Sequence, residues 1–148
     1  MNIWKPHLTV AAVVEDNGRF LFVEEEIRGE LVINQPAGHL DEGETLLHAV
    51  IRETQEETAY KFLPQALVGI LKWSNTEKNK TFVRVAFCGN VSDHAPEQEL
   101  DDGIVRTLWL TPEELNSGEY KIRSPMVLET IRKYQANERY PIDFISEI

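Results

Sequence analysis

Apolar and polar positions divide this chain into a succession of short strand-like runs broken by two helical patterns. His7 to Glu15 (HLTVAAVVE) is apolar and rich in β-branched residues, and Asp16-Asn17-Gly18 behind it is a tight-turn signal. Arg19 to Glu25 (RFLFVEE) reads as the returning strand, so the two runs predict a hairpin. A third run, Leu31 to Gln35, is stopped by Pro36-Ala37-Gly38. Phe62 to Trp73 and Thr81 to Val91 form a second predicted hairpin around the polar stretch SNTEKNK, and Ile104 to Leu110 a further strand. Thr111-Pro112-Glu113-Glu114 combines a cap, a first-turn proline and first-turn acids. Ser124-Pro125 opens a longer helix by the same logic, predicted to run to about Glu138 with Met126, Leu128, Ile131 and Tyr134 facing inward.

Between the third and fourth strands lies Gly38 to Tyr60, GHLDEGETLLHAVIRETQEETAY, whose pattern is helical. At about 100° per residue, with Glu53 at zero, Glu57 falls at about 40° and Glu56 at about −60°, so three carboxylates share one face. Leu47, Val50, Ile51, Thr54 and Thr58 form the adjoining stripe, which predicts packing against a core. Like charges at this spacing repel by a few tenths of a kcal/mol per pair. A hard divalent cation relieves that repulsion, since Mg²⁺ takes carboxylate oxygens together with waters and substrate phosphates. A solvated acidic face is the alternative that a bare ExxEE allows.

Composition limits the remaining choices. The chain has 148 residues, the length of one domain, and no repeat or linker divides it, so a single domain over 1–148 is expected. No apolar run approaches about 18 residues and the first ten residues, MNIWKPHLTV, lack a cationic leader, which predicts no membrane association and a cytoplasmic protein. Its one cysteine, Cys88, lies in FVRVAFCGNV and reads as a buried small apolar residue. A formal net charge of −10 opposes binding to a nucleic-acid polymer. Small phosphorylated substrates remain compatible, because a bound cation screens carboxylates from phosphates.

The spacing of Gly38, Glu44, Arg52, Glu53, Glu56 and Glu57 resembles the signature of the Nudix hydrolases, which is Gly, five residues, Glu, seven residues, Arg-Glu, two residues, Glu-Glu. Six fixed positions match by chance on the order of once in 10⁵ chains of this length, given ordinary residue usage. Two positions depart from it: Thr54 stands where the family has an apolar residue, and Ala59 where it has glycine. The Thr54 hydroxyl is expected to bond back to the Val50 carbonyl, and Ala59 to cost roughly 1 kcal/mol if the helix ends left-handed.

The resemblance implies an α/β class protein with the Nudix fold, an α/β/α sandwich around a mixed β-sheet. It further implies that Glu53, Glu56 and Glu57, with the Gly38 carbonyl, bind Mg²⁺ (or Mn²⁺ in its place), and that Glu53, Glu57 and Arg52 are the catalytic group. Arg52 is expected to orient a neighbouring carboxylate. Glu44 is either part of that support, a further ligand, or a favourable first-turn charge. Glu97, Glu99, Asp101 and Asp102 are candidates for an acid contributed from a distant loop, a solvated loop being the alternative. Arg84, in the middle of an apolar strand, must meet either a substrate phosphate or an internal carboxylate. Gln35 and His39 are further substrate-binding candidates, with Lys5 and His7 weaker ones. Of Trp4, Trp73 and Trp109, each large enough to stack on a ring, Trp109 reads as core. Beyond the signature, KPHLTVAAVV, NQPAGHL, TFVRVAF and IRSPMVLETIRKYQANERYP are similar to the NudJ-type phosphatase subgroup, although Ile33 stands where those proteins carry tryptophan.

The subgroup implies phosphate release from nucleoside tri- and diphosphates and from the diphosphate of the thiamine-precursor pyrimidine, by a monomer or small homo-oligomer. The competing functions are a pyrophosphohydrolase of nucleoside triphosphates or of nucleoside diphosphates linked to another group, and a non-catalytic nucleotide-sensing module. A simple Ca²⁺ module is disfavoured, since no DxDxDG loop is present.

Overall fold

The computed structural model describes residues 1–148. Its strands are β1 (His7–Val13), β2 (Glu15–Asp16), β3 (Arg19–Ile27), β4 (Glu30–Asn34), β5 (Ala37–His39), β6 (Lys61–Asn75), β7 (Lys80–Ser92) and β8 (Ile104–Leu110). The helices are α1 (Leu46–Thr58), α2 (Pro112–Leu115) and α3 (Pro125–Gln135), followed by a 3₁₀ turn at Ile142–Phe144.

Two four-stranded sheets share these strands. The first has the order β5-β1-β7-β6 and is mixed, with β1 parallel to β7 and the other pairs antiparallel. The second is antiparallel, with β3 at its centre against β2, β4 and β8. The expected hairpin of His7 to Glu15 with Arg19 to Glu25 is therefore corrected to a two-residue tip. Glu15 and Asp16 pair with Phe20 and Arg19, whereas β1 itself joins the other sheet, in register from His7↔Phe82 to Val13↔Cys88. A near-continuous apolar run suits a strand buried on both faces, but apolarity does not say which partner it takes. The β6–β7 hairpin forms as expected, carrying two bulges.

Alternation along β1 and β7 sends side chains to opposite faces. Val10, Ala12, Val85 and Phe87 pack with Ala49 and Val50 of α1, while Val13, Ala86 and Cys88 pack with Val127 and Ile131 of α3. The mixed sheet is thus covered by one helix on each face, the layering expected. Cys88 is buried, as predicted. Capping follows the sequence signals: Thr111 and Glu114 form a capping box on α2, and the Ser124 hydroxyl accepts from the Met126 amide on α3. α3 ends at Gln135 rather than Glu138, and Leu128 faces outward at 38 % exposure, against the expectation for both. No helix is long and apolar enough to cross a membrane.

Candidate active site

Thr45 caps α1, its hydroxyl accepting from the His48 amide, and the apolar stripe of the helix seats Ala49, Val50, Thr54 and Thr58 in the interior. Thr54 is fully buried and donates to the Val50 carbonyl at 2.8 Å, so the hydroxyl that departs from the family pattern is satisfied within its own helix. Ala59 ends the helix in the left-handed region, with φ 62° and ψ 16°. Glycine's freedom is thus needed at a position where this chain has a Cβ.

Arg52 is the hub of the acidic helix. Its Nε and Nη2 grip Glu44 at 3.0 and 2.6 Å, Nη1 donates to Glu53 at 2.9 Å and Glu56 at 3.2 Å, and Nη2 also reaches the His39 carbonyl at 3.1 Å. Bidentate pairing of this kind fixes direction as well as charge. Glu44 precedes the cap Thr45, so α1 has no acid in its first turn. The first-turn alternative for Glu44 is accordingly replaced by a supporting one: hydrogen bonds from Arg52 hold its carboxyl down at about 2, and it also accepts from the Asp41 amide.

Four carboxylates meet differently from the sequence expectation. Oxygens of Glu53, Glu56 and Asp101 lie within 4.8 Å of one another. Of the four loop acids proposed, Asp101 alone joins this cluster. The loop is pinned onto α1 by Asp101 N–H to the Glu56 carbonyl at 3.0 Å, Ala95 N–H to the Ala59 carbonyl at 2.9 Å, and a reciprocal pairing of Gln98 with the side chain and carbonyl of Gln55. Glu57 is set apart, buried and accepting from the Ala37 amide at 2.9 Å. Burial pushes the Glu53 carboxyl up to about 7, against the pull of Arg52, and the Glu57 carboxyl up to about 9.

Gly38 lies where this cluster meets a cavity of about 280 Å³. A Cβ built on Gly38 would run into the Glu53 carboxylate carbon and both of its oxygens, so only glycine brings this strand so close to α1. Lys78, Lys80, Arg84 and Arg123 supply positive charge to the cavity, Glu25 and Glu57 negative charge, and Trp73 and Phe82 an aromatic wall. Those two rings stack at 5.9 Å with 17° between planes. His39 lines the cavity and meets His7 at 3.3 Å. Desolvation, with His7 and Lys80 nearby, lowers the His39 pKa. Trp4 and Trp109 lie outside the lining, the former 67 % exposed and the latter edge-on to Tyr60. Ile33 is core, 1 % exposed.

Gln35 also stays out of the lining. It is 1 % exposed, donating to the Val127 carbonyl at 2.9 Å and accepting from Arg84 at 2.7 Å, so its amide is spent within the protein. Arg84 forms no internal ion pair, the carboxylate alternative foreseen for it: its hydrogen bonds go to neutral Gln35, Asn34 and Thr130. Sequence reasoning overlooked Asn34 and Thr130, and only the buried arginine hinted that polar neighbours were needed.

A glycine-led strand end, an acidic helix seated on a mixed sheet and a cation-lined cavity beside it mark an α/β-class protein with a site suited to anionic ligands. The NUDIX domain model matches residues 5–130, and the chain belongs to the Nudix family, hydrolases of phosphorus-containing anhydrides. It is 41% identical over 145 residues to Phosphatase NudJ of Escherichia coli O1:K1 and equally to that of Shigella flexneri, covering 98% of this chain and 94% of each relative. A NUDIX hydrolase structure from Nitrosomonas europaea superimposes with a TM-score of 0.94 at 41% identity, covering 97% of this chain and 98% of that one. The NUDIX domain of Shewanella oneidensis NrtR, solved with ADP ribose, shares the fold at a TM-score of 0.71 and 19% identity.

Proposed function

We propose that this chain is a Mg²⁺-dependent phosphatase of nucleoside tri- and diphosphates and of the diphosphate of the thiamine-precursor pyrimidine, releasing orthophosphate. The observation that carries the reading is the convergence of Glu53, Glu56 and Asp101 oxygens within 4.8 Å, beside a cavity lined by four cationic side chains. The similarity to NudJ phosphatases over nearly the whole chain supports phosphate release, and the substrates named are those the subgroup resemblance implies.

The donor set fits a hard divalent ion, being all oxygen and preorganised by Arg52 and by the absence of a side chain at Gly38. Glu53, Glu56 and Asp101 would hold it together with the Gly38 carbonyl, and Glu57 would contribute from the cavity side; Mn²⁺ would serve in place of Mg²⁺. When bound, the cation neutralises phosphate charge and lowers the pKa of a water. The chain's own residues do the rest. Arg52 holds Glu53 Oε1, leaving Oε2 to accept the proton of the attacking water. Arg84 binds a phosphate, supported by Gln35, with His39, Lys78 and Lys80 along the approach. Trp73 and Phe82 offer a ring-stacking wall that selects flatness rather than a particular base. The chain works as a single domain over 1–148 in the cytoplasm, as a monomer or small homo-oligomer.

Hydrolysis of ATP and ADP in ¹⁸O-water with Mg²⁺, followed by product analysis, tests the reading. Stepwise orthophosphate release from both is expected. Pyrophosphate plus AMP as the only products from ATP would replace it with the pyrophosphohydrolase alternative.

A further inference from the structure

Arg84 is a buried cation that the protein leaves without an ion-pair partner. It is 2 % exposed and sits in the middle of β7, yet it takes part in none of the chain's ion pairs within 4.0 Å. Its Nη1 donates to Gln35 Oε1 at 2.7 Å and Thr130 Oγ1 at 3.3 Å, and Nη2 to Asn34 Oδ1 at 2.9 Å, all neutral acceptors. Nε is buried with no partner. Burying a charge is costly unless an opposite charge compensates it. The cost is visible in the guanidinium, whose pKa desolvation pushes down to about 10. Arg84 remains cationic at neutral pH even so. Glu25 is the one acid close enough to act on its charge, and neither Glu25 nor Glu57, the two carboxylates lining the cavity, is bonded to it.

The shell is built to hold the fork still. Gln35 is anchored at its other end to the Val127 carbonyl, and the Thr130 hydroxyl donates to the Met126 carbonyl at 2.6 Å, so both holders are fixed to α3. A protein that needed Arg84 for stability alone would gain from a carboxylate at position 34, which differs from asparagine by one atom type. Here the acceptor is an amide instead.

We propose that Asn34, Gln35 and Thr130 are positioning residues that hold Arg84 fixed with no ion-pair partner, making it a phosphate-binding site in the cavity lining that works without a metal. This deepens the substrate reading above and rests on it for the source of the phosphate. That an oxyanion suits the Arg84 fork follows from its environment alone.

Titrations of orthophosphate and of ADP in excess EDTA, followed by calorimetry on the full chain, test it directly. Wild-type protein is expected to bind both. Asn34→Asp, which supplies an internal counterion at unchanged shape, is expected to weaken both at least about tenfold while its thermal midpoint without ligand stays the same or rises. A merely structural shell would move the midpoint and not the affinity. Should Asn34→Asp fail to fold, Thr130→Val removes one holder without adding charge, and is expected to weaken orthophosphate severalfold. Absence of orthophosphate and ADP binding in EDTA by wild type, or affinities within about twofold of wild type in the variant, would overturn the proposal. Failure of the enzyme to release phosphate from any nucleotide in Mg²⁺ would instead overturn the functional reading, and the EDTA titrations would still decide this one.

Discussion

At the scale of single residues, Ala59 shows how far one position can be judged before any coordinates exist. Its place in the signature marks a helix end where glycine is usual, and the observed φ of 62° makes the cost concrete. Ala59→Gly is expected to raise stability by about 0.5 to 1 kcal/mol, because the left-handed strain removed exceeds the added unfolded-state freedom. Thermal or urea unfolding of the two proteins checks this; a destabilised variant would mean that packing of the buried methyl outweighs the strain. Thr54 was legible for the same reason, its bond to Val50 being local. Asp101 was not, since four acids in one loop look alike in sequence. Only the pinning of that loop by Gln55, Glu56 and Ala59 separates it from Glu97, Glu99 and Asp102.

Burial of Glu53 and Glu57 has a pH consequence for the metal-free protein. Both carboxyls rise from 4.5, to about 7 and about 9, with desolvation the largest cause for each. A carboxyl whose folded pKa lies above its unfolded one favours folding while it is protonated. That contribution is full below about pH 4.5 and is lost as pH rises through the folded values. In EDTA the thermal midpoint is therefore expected to fall from about pH 4.5 to about pH 9, most steeply below about pH 7 where both carboxyls contribute, and Glu57→Gln to flatten the part above about pH 7. A midpoint unchanged over this range, or an equal slope in the variant, would contradict the assigned environment of Glu57.

At the scale of elements, α1 was readable because its signals are local: a cap, a stripe and a charged face. What could not be read is its long-range restraint. The Leu46 amide, at the start of α1, donates to both oxygens of Glu147 at 2.9 and 3.0 Å, across 101 residues of sequence. Tyr140 pairs with Leu67 through two backbone hydrogen bonds of 2.8 Å, and Ile145 packs on the core cluster beneath α1, so the C-terminal segment is tied along its length. Negative charge at a helix N-terminus is favourable. Glu147→Ala is expected to speed hydrogen exchange at the Leu46 amide while leaving the amides of Glu53 to Thr58 protected. Unchanged exchange at Leu46 would show that the carboxylate does not hold the helix end. The misassigned first hairpin has a related cause. Turn chemistry at Asp16-Asn17-Gly18 correctly marks a reversal, but parallel pairing of β1 with β7 joins segments 75 residues apart, from His7↔Phe82, and leaves no local trace.

For the whole molecule, the layering follows from consecutive strands and two amphipathic helices, which is why the α/β/α arrangement could be stated early. The division into two sheets could not, because the same alternating pattern serves either sheet. Charge distribution shows the same limit. The net charge of −10 opposes a broad polyanion-binding surface, yet it conceals a cavity with four cationic side chains beside the acidic cluster. The cavity thus carries four cations beside two carboxylates, Glu25 and Glu57, with Gly38 between it and the Glu53 carboxylate.

The central claim is that Glu53, Glu56 and Asp101 hold a divalent cation on which phosphate release depends. Orthophosphate release from ATP, followed over a Mg²⁺ titration from excess EDTA upward in wild type and in Asp101→Asn, tests it most directly. Release is expected to be absent in EDTA and to saturate with Mg²⁺ in wild type. In the folded variant the half-saturating Mg²⁺ concentration is expected to rise at least about tenfold, or roughly 1.4 kcal/mol of cation binding. Release that persists in EDTA, or a Mg²⁺ dependence identical in the two proteins, would contradict the account.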